Sequence, residues 1–385
     1  MQSFSSSPQP QTYDIIIIGA GISGATLAER YATQQNKKVL LLEKRDHIGG
    51  NCYDFYNDDG ILVSKYGAHL FHTNFEDVWT YIQQFSKWYP YEHRVKASVD
   101  GKLVPVPVNI TTVNELFGLQ IQNESEMDDW LKKNQIANSH PKNSEEAALA
   151  RVGPILYEKL FKNYTKKQWN KFPAELDPLV LNRIPVRNNF DDRYFSDIHQ
   201  ALPTEGYTKL FEKMLKHPNI TVKLNTDYFE NRNSYTGHEK LFYTGAIDQF
   251  FDFKHSVSQS LEYRSIQFVW ETHNQEQYQN NPVINYPNDY DFTRIVEYKH
   301  FTHQKHPKTT ISKEISCDFI PGKNEPYYPV PNEKNQAIFE LYQQEAENLE
   351  EKGVYFVGRL ANYKYFNMDQ AFKNALDLFN KLHSS

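Results

Sequence analysis

The chain has 385 residues and a net charge of −6, and 39% of its residues are hydrophobic and 15% aromatic. This length predicts two or three domains, the aromatic content excludes an intrinsically disordered protein, and the negative charge excludes non-specific binding to a nucleic acid. The two cysteines match no metal spacing and no run approaches the roughly 20 apolar residues of a membrane span, so we predict a cytoplasmic, multidomain enzyme with free thiols, no metal and no membrane span.

The first elements in chain order predict a Rossmann-like unit. Residues 1–12 form a polar leader rich in Ser, Pro and Gln, which we expect to be disordered. Residues 13–18 are a short β-branched run bounded by glycine, which is typical of a parallel strand buried on both faces. The stretch "SGATLAERYATQQ" then has helical spacing, and "KKVLLLEK" has the pattern of a second buried strand. Strand, helix and strand together predict an α/β domain.

A glycine motif lies where the first strand meets the first helix. Gly19, Gly21 and Gly24 form GxGxxG, in which the glycines permit a tight turn, close approach of a pyrophosphate and close packing of helix on strand. Glu43 follows at the end of the second strand, where a carboxylate can accept hydrogen bonds from a ribose. Motif and context together predict a bound dinucleotide.

The residues after Glu43 favour FAD over NAD as that dinucleotide. The stretch "EKRDHIGGNCYD" resembles the continuation seen in flavin enzymes of the glutathione-reductase-like class, and we predict cofactor contacts from Lys44, Gly50 and Asn51. Two later stretches, "FYTG" and "VYFVGRL", have the form of later strands in that class, and the second, with Gly358, would bring its backbone toward the flavin.

Two histidines, His69 and His72, stand three residues apart in "SKYGAHLFHT". As a metal site the pair is poor, because only two ligands are present and no nearby acid completes a set. The spacing leaves two interpretations open: a pair of histidines in a polar loop, or a position over the isoalloxazine ring of the flavin.

The rest of the chain divides by pattern into three domains. Residues 112–178 have apolar positions at helical spacing and predict a helical domain. Short alternating runs rich in Tyr, Phe, Thr and Val predict an antiparallel sheet domain from residues 91–111, 179–201 and 253–349. Helix and strand patterns assign to the FAD-binding domain residues 13–90, 202–252 and 350–385. The predicted fold class is therefore α/β, with a discontinuous Rossmann-like FAD-binding domain, a helical insert domain and an antiparallel β-sheet domain.

Arginines and tyrosines of the middle and late segments are candidates for an anion site. Arg183, Arg264 and Arg294 lie in or beside predicted strands, where a buried charge needs a partner, and a guanidinium binds a diphosphate in bidentate fashion. Taken singly, each arginine is more often a solvated surface residue. Tyrosines cluster in "FKNYTKKQW", "NEPYYPV" and "NYKYFNMD", where core packing is the alternative to stacking on a base or binding a phosphate.

Many of these stretches together resemble the UDP-galactopyranose mutase family of the bacterial type. The resemblance runs over nearly the whole chain, through "IIIGAGISGA", "RDHIGGNCYD", "YGAHLFHT", "FKNYTKKQW", "RIPVRNNFDDRYF", "LPTEGYTKLF", "FYTGAID", "TRIVEYKHF", "PYYPV" and "GRLANYKYFNMD". It implies an FAD domain, a helical domain with a mobile loop and a six-stranded antiparallel sheet domain. It also implies ring contraction of UDP-galactopyranose to UDP-galactofuranose with no net redox change, through a covalent adduct between the sugar and N5 of reduced FAD. An external reductant, NAD(P)H, would supply the electrons, and a homodimer is expected because members of the family are often dimers.

The resemblance also implies roles for individual residues. Arg183 and Arg294 look like the pair that binds the diphosphate and, with His72 beside flavin and sugar, are the predicted catalytic residues. The predicted substrate-binding residues are Phe161, Tyr164, Trp169, Tyr194, Arg264, Tyr328, Tyr365, Asn367 and Trp79. The predicted cofactor-binding residues beyond those of the glycine motif are Glu43, Lys44, Gly50, Asn51, His69, Gly358, Arg359, Met368 and Asp369.

One position departs from the family pattern and leaves the sugar open. Asn367 stands where the family usually has a carboxylate, so that a negative charge is replaced by two N–H donors. UDP-N-acetylgalactosamine or a UDP-deoxyhexose is therefore a second possible substrate. Two competing functions are a flavin oxidoreductase of the amine-oxidase-like class and a non-catalytic nucleotide-binding relic. The converging arginines and tyrosines favour the mutase, because an oxidase needs an apolar substrate channel.

Overall fold

The computed structural model describes residues 12–252 and 260–383. The predicted disorder of the leader concerns residues 1–12, of which all but the last lie outside the described residues. In chain order the strands are β1 (Ile15–Ile18), β2 (Val39–Leu42), β3 (Asp54–Tyr56), β4 (Leu62–Ser64), β5 (Phe71–Thr73), β6 (Trp88–Pro90), β7 (Val95–Val99), β8 (Lys102–Val106), β9 (His199–Pro203), β10 (Ile220–Lys223), β11 (Lys240–Tyr243), β12 (Tyr263–His273), β13 (Val283–Asn285), β14 (Arg294–Glu297), β15 (Thr309–Asp318), β16 (Tyr328–Pro329) and β17 (Val354–Phe356).

The helices alternate with these strands and are concentrated between β8 and β9. They are α1 (Ile22–Gln34), α2 (Glu76–Ile82), α3 (Ile110–Phe117), α4 (Glu124–Asn134), α5 (Ser144–Leu156), α6 (Asn163–Trp169), α7 (Leu179–Asn182), α8 (Tyr207–Met214), α9 (Ile247–Phe250), α10 (Lys299–Thr302), α11 (Glu333–Glu350) and α12 (Met368–His383). A π-helical turn, Tyr157–Lys162, joins α5 to α6.

A five-stranded sheet forms the centre of the nucleotide-binding part, in the order β10-β2-β1-β11-β17, and every pairing is parallel. Ile15 and Ile17 pack in a core cluster that includes residues of α1 and α12, whereas Ile16 packs with residues of α11 on the other face. Because β1 is covered on both faces, its sequence is apolar at every position. This confirms the predicted buried strand and the α/β class.

A second sheet has seven strands in the order β16-β12-β15-β14-β13-β7-β8, and all pairings are antiparallel except β13 with β7. The resemblance implied six strands, and the two-residue β16 is the shortest of the seven. Helices α3 to α7 pack against β7 and β8 around a separate apolar cluster that includes Val99, Val104 and Leu156. Two smaller sheets, β5-β9-β6 and β3-β4, complete the described strands.

The domain boundaries stay a prediction, and α11 bears on one of them. All of helix α11 except its last residue lies within residues 253–349, which were assigned to the sheet domain, yet Ile338, Phe339 and Tyr342 of this helix pack with Leu241 of the parallel sheet. The apolar face of an amphipathic helix packs against the core of its own domain. A boundary near residue 332, which places α11 in the FAD-binding domain, therefore fits the packing better.

Candidate active site

A first cavity of about 230 Å³ lies at the carboxyl ends of the parallel strands, where Ile18, Leu42 and Tyr243 contribute to its lining. Ligands of open α/β sheets bind at this edge, outside the ends of the strands. The predicted cofactor residues that line this cavity are Gly19, Gly21, Glu43, Lys44, Gly50, Asn51, His69, Gly358, Arg359 and Met368. The structure therefore gathers most of the predicted cofactor contacts in one place.

The glycine motif lines this cavity at the start of α1 with Gly19 and Gly21. Gly19 has a φ of 100°, a conformation that favours glycine, and a Cβ there would overlap the hydroxyl of Thr244. Gly24 lies in the first turn of α1, and a Cβ at this position would overlap the carbonyl oxygen of Gly19. Gly24 does not line the cavity but lets the helix approach β1, so that the N–H groups at the helix start face the space.

Glu43 holds the end of β2 against the start of the helix. Its buried carboxylate accepts hydrogen bonds from the backbone N–H of Ala20 at 2.8 Å and of Arg45 at 2.9 Å. Each oxygen retains a lone pair for a ribose hydroxyl, since a carboxylate oxygen accepts two bonds. The start of α1, the glycines and Glu43 together fit an FAD dinucleotide. The N–H groups at the helix start would bind its pyrophosphate, and Glu43 would bind its ribose.

A second cavity of about 610 Å³ adjoins the first. Six residues line both cavities, namely Asn51, His69, Tyr327, Arg359, Asn367 and Met368. The predicted residues that line only the second are His72, Phe161, Tyr164, Trp169, Arg183, Tyr194, Arg294, Tyr328, Tyr365 and Asp369. Asp369, which was predicted to bind the cofactor, thus faces the second cavity and lies 5% exposed.

Arg183 and two tyrosines form one wall of the second cavity. The guanidinium carbon of Arg183 lies 4.0 Å from the ring centroid of Tyr365, and the rings of Tyr365 and Tyr328 stack with centroids 5.2 Å apart. Burial raises the pKa of Tyr365, but the guanidinium groups of Arg183 and Arg359 oppose it and the net pKa lies below its usual value. A positively charged wall with two hydroxyl donors suits an anionic ligand.

Arg294 enters the same cavity from the sheet and is fixed by a carboxylate. Its Nε donates to Oε2 of Glu314 at 2.7 Å, and Glu314 is 2% exposed. The pairing follows from the register of β14 and β15, in which the two residues are direct partners. Burial lowers the pKa of Arg294, but the charge of Glu314, together with Tyr164 and Tyr328, raises it, and the net pKa lies well above its usual value. One edge of the guanidinium is therefore oriented by Glu314.

The two predicted histidines differ in their environments. Nδ1 of His72 lies 2.9 Å from Oδ2 of Asp197, and its ring stacks on Phe195 with centroids 3.6 Å apart. Nδ1 of His69 lies 2.9 Å from the carbonyl oxygen of Gly67, and burial lowers the pKa of His69 to about 4. His69 is thus neutral near pH 7 and lines both cavities, whereas His72 faces only the second.

The π-helical turn carries aromatic side chains to the far wall of the second cavity. Helix α5 breaks at Gly153, where φ is 76° and ψ is 174°, and the chain then winds through Tyr157–Lys162 before α6. Phe161 lies on the turn, Tyr164 in the first turn of α6 and Trp169 at its end. The Trp169 side chain is 2% exposed, and its ring centroid lies 6.1 Å from that of Tyr328. The π-helical turn, a form frequent at functional sites, contributes Leu160 and Phe161 to the lining of the second cavity.

Two predicted substrate residues line neither cavity. Trp79 stacks on His199 with centroids 4.9 Å apart and also packs against Phe71 and Trp88. Arg264 is 4% exposed and directs its side chain at Asp318, Ser316 and the carbonyl oxygen of Gln168. Trp79 thus belongs to an aromatic cluster and Arg264 lies behind the cavity wall, and their contacts with a substrate stay predictions.

Several residues of the site were missed from the sequence. Glu325 binds both Lys44 and Arg45, with N–O distances of 3.0 Å each, at the rim of the first cavity. Glu314 contacts Arg294, Asp197 and Phe195 contact His72, and His93 lines the second cavity. Glu314 stands between Lys313 and Ile315 on β15, so the local sequence carries no signal that its carboxylate is buried.

Membrane-spanning helices and metal centres are both absent from the described ranges. Among residues 12–252 and 260–383, no helix is long and apolar enough to cross a membrane. The same part of the chain contains no group of three or more His, Cys, Asp or Glu that could hold a metal ion.

Comparisons with known proteins agree with the geometry. A family model described as UDP-galactopyranose mutase matches residues 159–365, and one described as an NAD(P)-binding Rossmann-like domain matches residues 17–85. The chain is 38% identical to a dTDP-fucopyranose mutase of Escherichia coli, over 94% of this chain and 96% of the relative. It is also 38% identical to a probable UDP-galactopyranose mutase of Klebsiella pneumoniae, over 97% and 95% of the two chains. A crystal structure of reduced UDP-galactopyranose mutase matches in fold, with a TM-score of 0.75 at 16% identity over 97% of this chain and 96% of that chain.

Proposed function

This chain belongs to the UDP-galactopyranose mutase family, and we propose that it interconverts UDP-galactopyranose and UDP-galactofuranose without net redox change. The observation that carries the proposal is the second cavity, in which Arg183, Arg294 and stacked tyrosines adjoin the cofactor cavity. A redox enzyme acting on an amine has no use for two guanidinium groups at its substrate site, whereas a nucleotide diphosphate does.

FAD is the cofactor that the family and the Rossmann-like match indicate. When bound and reduced, FAD supplies a nucleophilic nitrogen, N5, for exchange at the anomeric carbon. We propose that the reduced form is the active one and that NAD(P)H reduces it. We also propose a homodimer, following other members of the family, in a reducing cytoplasm that suits the two unpaired cysteines.

The roles of the chain's own residues follow from their places in the second cavity. Arg183 and Arg294 would bind the diphosphate and offset the negative charge that grows as it departs. Tyr194, Tyr328 and Tyr365 would donate hydrogen bonds to phosphate oxygens, and Phe161 and Tyr164 would stack on the base. His72, oriented by Asp197, would lie beside the sugar.

The test is incubation of the purified holoenzyme with UDP-galactofuranose and dithionite, followed by chromatography. We expect UDP-galactopyranose to form under reducing conditions and not with the oxidised flavin. Equal conversion in both states, or none in either, would contradict the proposal. Consumption of substrate with stoichiometric change in the flavin redox state would instead indicate an oxidoreductase.

A related nucleotide sugar is the second candidate substrate, and Asn367 favours it. Asn367 is exposed and lines both cavities, where an amide replaces the carboxylate usual in the family. The 38% identity to a dTDP-fucopyranose mutase equals that to the galactose enzyme, so overall identity favours neither sugar. Competition among UDP-galactopyranose, UDP-N-acetylgalactosamine, a UDP-deoxyhexose and dTDP-fucopyranose would rank them. If Asn367 sets the preference, Asn367→Asp shifts the ranking toward galactose.

A further inference from the structure

Arg264 holds the segment that carries Trp169, although it touches neither cavity. Its Nε donates to the carbonyl oxygen of Gln168 at 3.1 Å, and the hydroxyl of Ser316 donates to the same oxygen at 2.6 Å. The Nη2 atom of Arg264 in turn donates to the Ser316 hydroxyl at 3.3 Å. Two donors from the sheet therefore converge on the peptide immediately before Trp169.

The position of this carbonyl gives the contact added strength. Gln168 is in the last turn of α6, where carbonyl groups lack partners within the helix and the helix dipole is negative. A guanidinium there satisfies a carbonyl and meets the dipole with a positive charge. Because Arg264 is 4% exposed, its charge would lose a partner in the interior if α6 moved away, and only Asp318 would remain to offset it.

The backbone of Arg264 holds the opposite wall of the cavity. Its carbonyl oxygen accepts a hydrogen bond from the N–H of Tyr327 at 2.8 Å, and it is the direct partner of Tyr328 in the β12–β16 pairing. Trp169 in turn packs against Tyr328 and Tyr365. One residue thus fixes, through its side chain and its backbone, two aromatic surfaces that meet across the cavity.

We infer that Arg264 is a positioning residue that, with Ser316, holds the end of α6 so that Trp169 closes on Tyr328 and Tyr365. The expected effect on kinetics rests on the proposed function, whereas the expected effect on the position of α6 does not. Without the two donors, the segment 163–171 would leave the sheet more often, and substrate would have to restore the closed arrangement at the expense of binding free energy.

The experiment compares Arg264→Ala and Ser316→Ala with two controls in the FAD-loaded enzyme. Ser265→Ala removes a buried hydroxyl on the same strand that has no hydrogen-bond partner among the described residues, and Arg94→Ala removes an arginine that lines neither cavity. Trypsin cleavage after Lys167 and Lys171 in the substrate-free enzyme measures how often the segment opens. We expect cleavage to accelerate about tenfold in Arg264→Ala and about threefold in Ser316→Ala, and not in the controls.

Kinetics then separate positioning from direct contact. We expect KM for the nucleotide sugar to rise about tenfold in Arg264→Ala while kcat changes less than about threefold. Because both donors act on one carbonyl, the effects of the double variant should be smaller than the product of the single effects. FAD content equal to that of the unmodified enzyme shows that each variant is folded.

Two results would overturn the inference. Unchanged cleavage in Arg264→Ala with weakened UDP binding would mean that Arg264 contacts the ligand directly. Unchanged cleavage with unchanged kinetics would mean that the contact has no role. If the unmodified enzyme shows no turnover at all, the proposed function fails, while the cleavage assay still decides whether Arg264 holds the segment.

Discussion

Among the described residues, six glycines line the first cavity, whereas the second has no glycine in its lining and is enclosed by charged, aromatic and other side chains. Most predicted contacts of the first come from two short stretches, residues 18–23 and 42–52, which follow neighbouring strands of one sheet. The second takes its residues from segments spread between residues 51 and 370. We therefore expect the proposed cofactor site to be more sensitive to substitution of its glycines, and the proposed substrate site to be more sensitive to changes in its side chains. Each of the following experiments challenges that contrast.

Arg183→Ala should produce the largest effect on turnover and leave the first cavity intact. Removing a charged partner of the diphosphate costs about 2–5 kcal/mol, which corresponds to a loss of about 30-fold to several thousand-fold in kcat/KM. FAD content, measured by absorbance, should not change, because Arg183 does not line the first cavity. Loss of FAD from this variant would show that the two cavities are not separable, and Arg94→Ala is the matched control.

Gly24→Ala should have the opposite profile. The added Cβ overlaps the carbonyl oxygen of Gly19, so that α1 must shift from β1 at a cost of about 1–3 kcal/mol. We expect the purified variant to contain less bound FAD than the unmodified enzyme. Its turnover per bound FAD should be close to that of the unmodified enzyme. Gly60→Ala is the control, because its positive φ imposes backbone strain but no atom lies within 4 Å of the new Cβ. Full FAD content in Gly24→Ala would contradict the role of close packing.

The second cavity should also make stability depend on pH. Burial lowers the pKa of His93 to about 3 and that of His69 to about 4, whereas an unfolded histidine titrates near 6.5. As the pH falls below 6.5, the unfolded chain takes up protons that the folded chain does not, so the free energy of unfolding decreases by about 1.4 kcal/mol per pH unit for each histidine.

Urea unfolding of the enzyme between pH 6.5 and 5 measures this slope. His93→Gln should reduce the loss of stability over that range by about 1–2 kcal/mol. His140→Gln, at an exposed position, should leave the slope unchanged. An unaltered slope in His93→Gln would mean that His93 is protonated in the folded protein.

Trp79→Phe should have the smallest effect on activity. Trp79 packs against His199, Phe71 and Trp88 and lines neither cavity, so we expect kcat/KM within about twofold of the unmodified value and a loss of about 1–2 kcal/mol in the free energy of unfolding. A large fall in kcat/KM at unchanged stability would instead restore Trp79 to the substrate site, as the resemblance implied.

The cofactor side was predictable because its determinants are local. Gly19, Gly24 and Glu43 act through the turn, helix and strand that contain them, so their spacing along the chain carries their geometry. The helix α11 that covers this sheet was harder to assign. It packs on the parallel sheet, but it follows a segment of the chain that was assigned to the antiparallel sheet domain.

The substrate side depends on pairings that spacing does not encode. Glu314 orients Arg294 across twenty residues, and Asp197 orients His72 across 125. The same holds for Arg264 and Trp79, because an arginine or tryptophan in an apolar stretch is equally compatible with a ligand and with a partner inside the protein. The direction in which a side chain leaves its strand or helix decides between them, and packing from distant segments sets that direction.

The number of residues in the π-helical turn Tyr157–Lys162 determines how α6 is oriented in the wall of the second cavity. Successive residues of an α-helix are rotated by about 100° around its axis. Deletion of one residue from this turn would let it close as an α-helix and rotate all of α6, turning Tyr164 and Trp169 away from Tyr328 and Tyr365 without altering a single side chain. A homologue with every aromatic residue conserved but one residue fewer at this point would therefore present a different wall to its nucleotide.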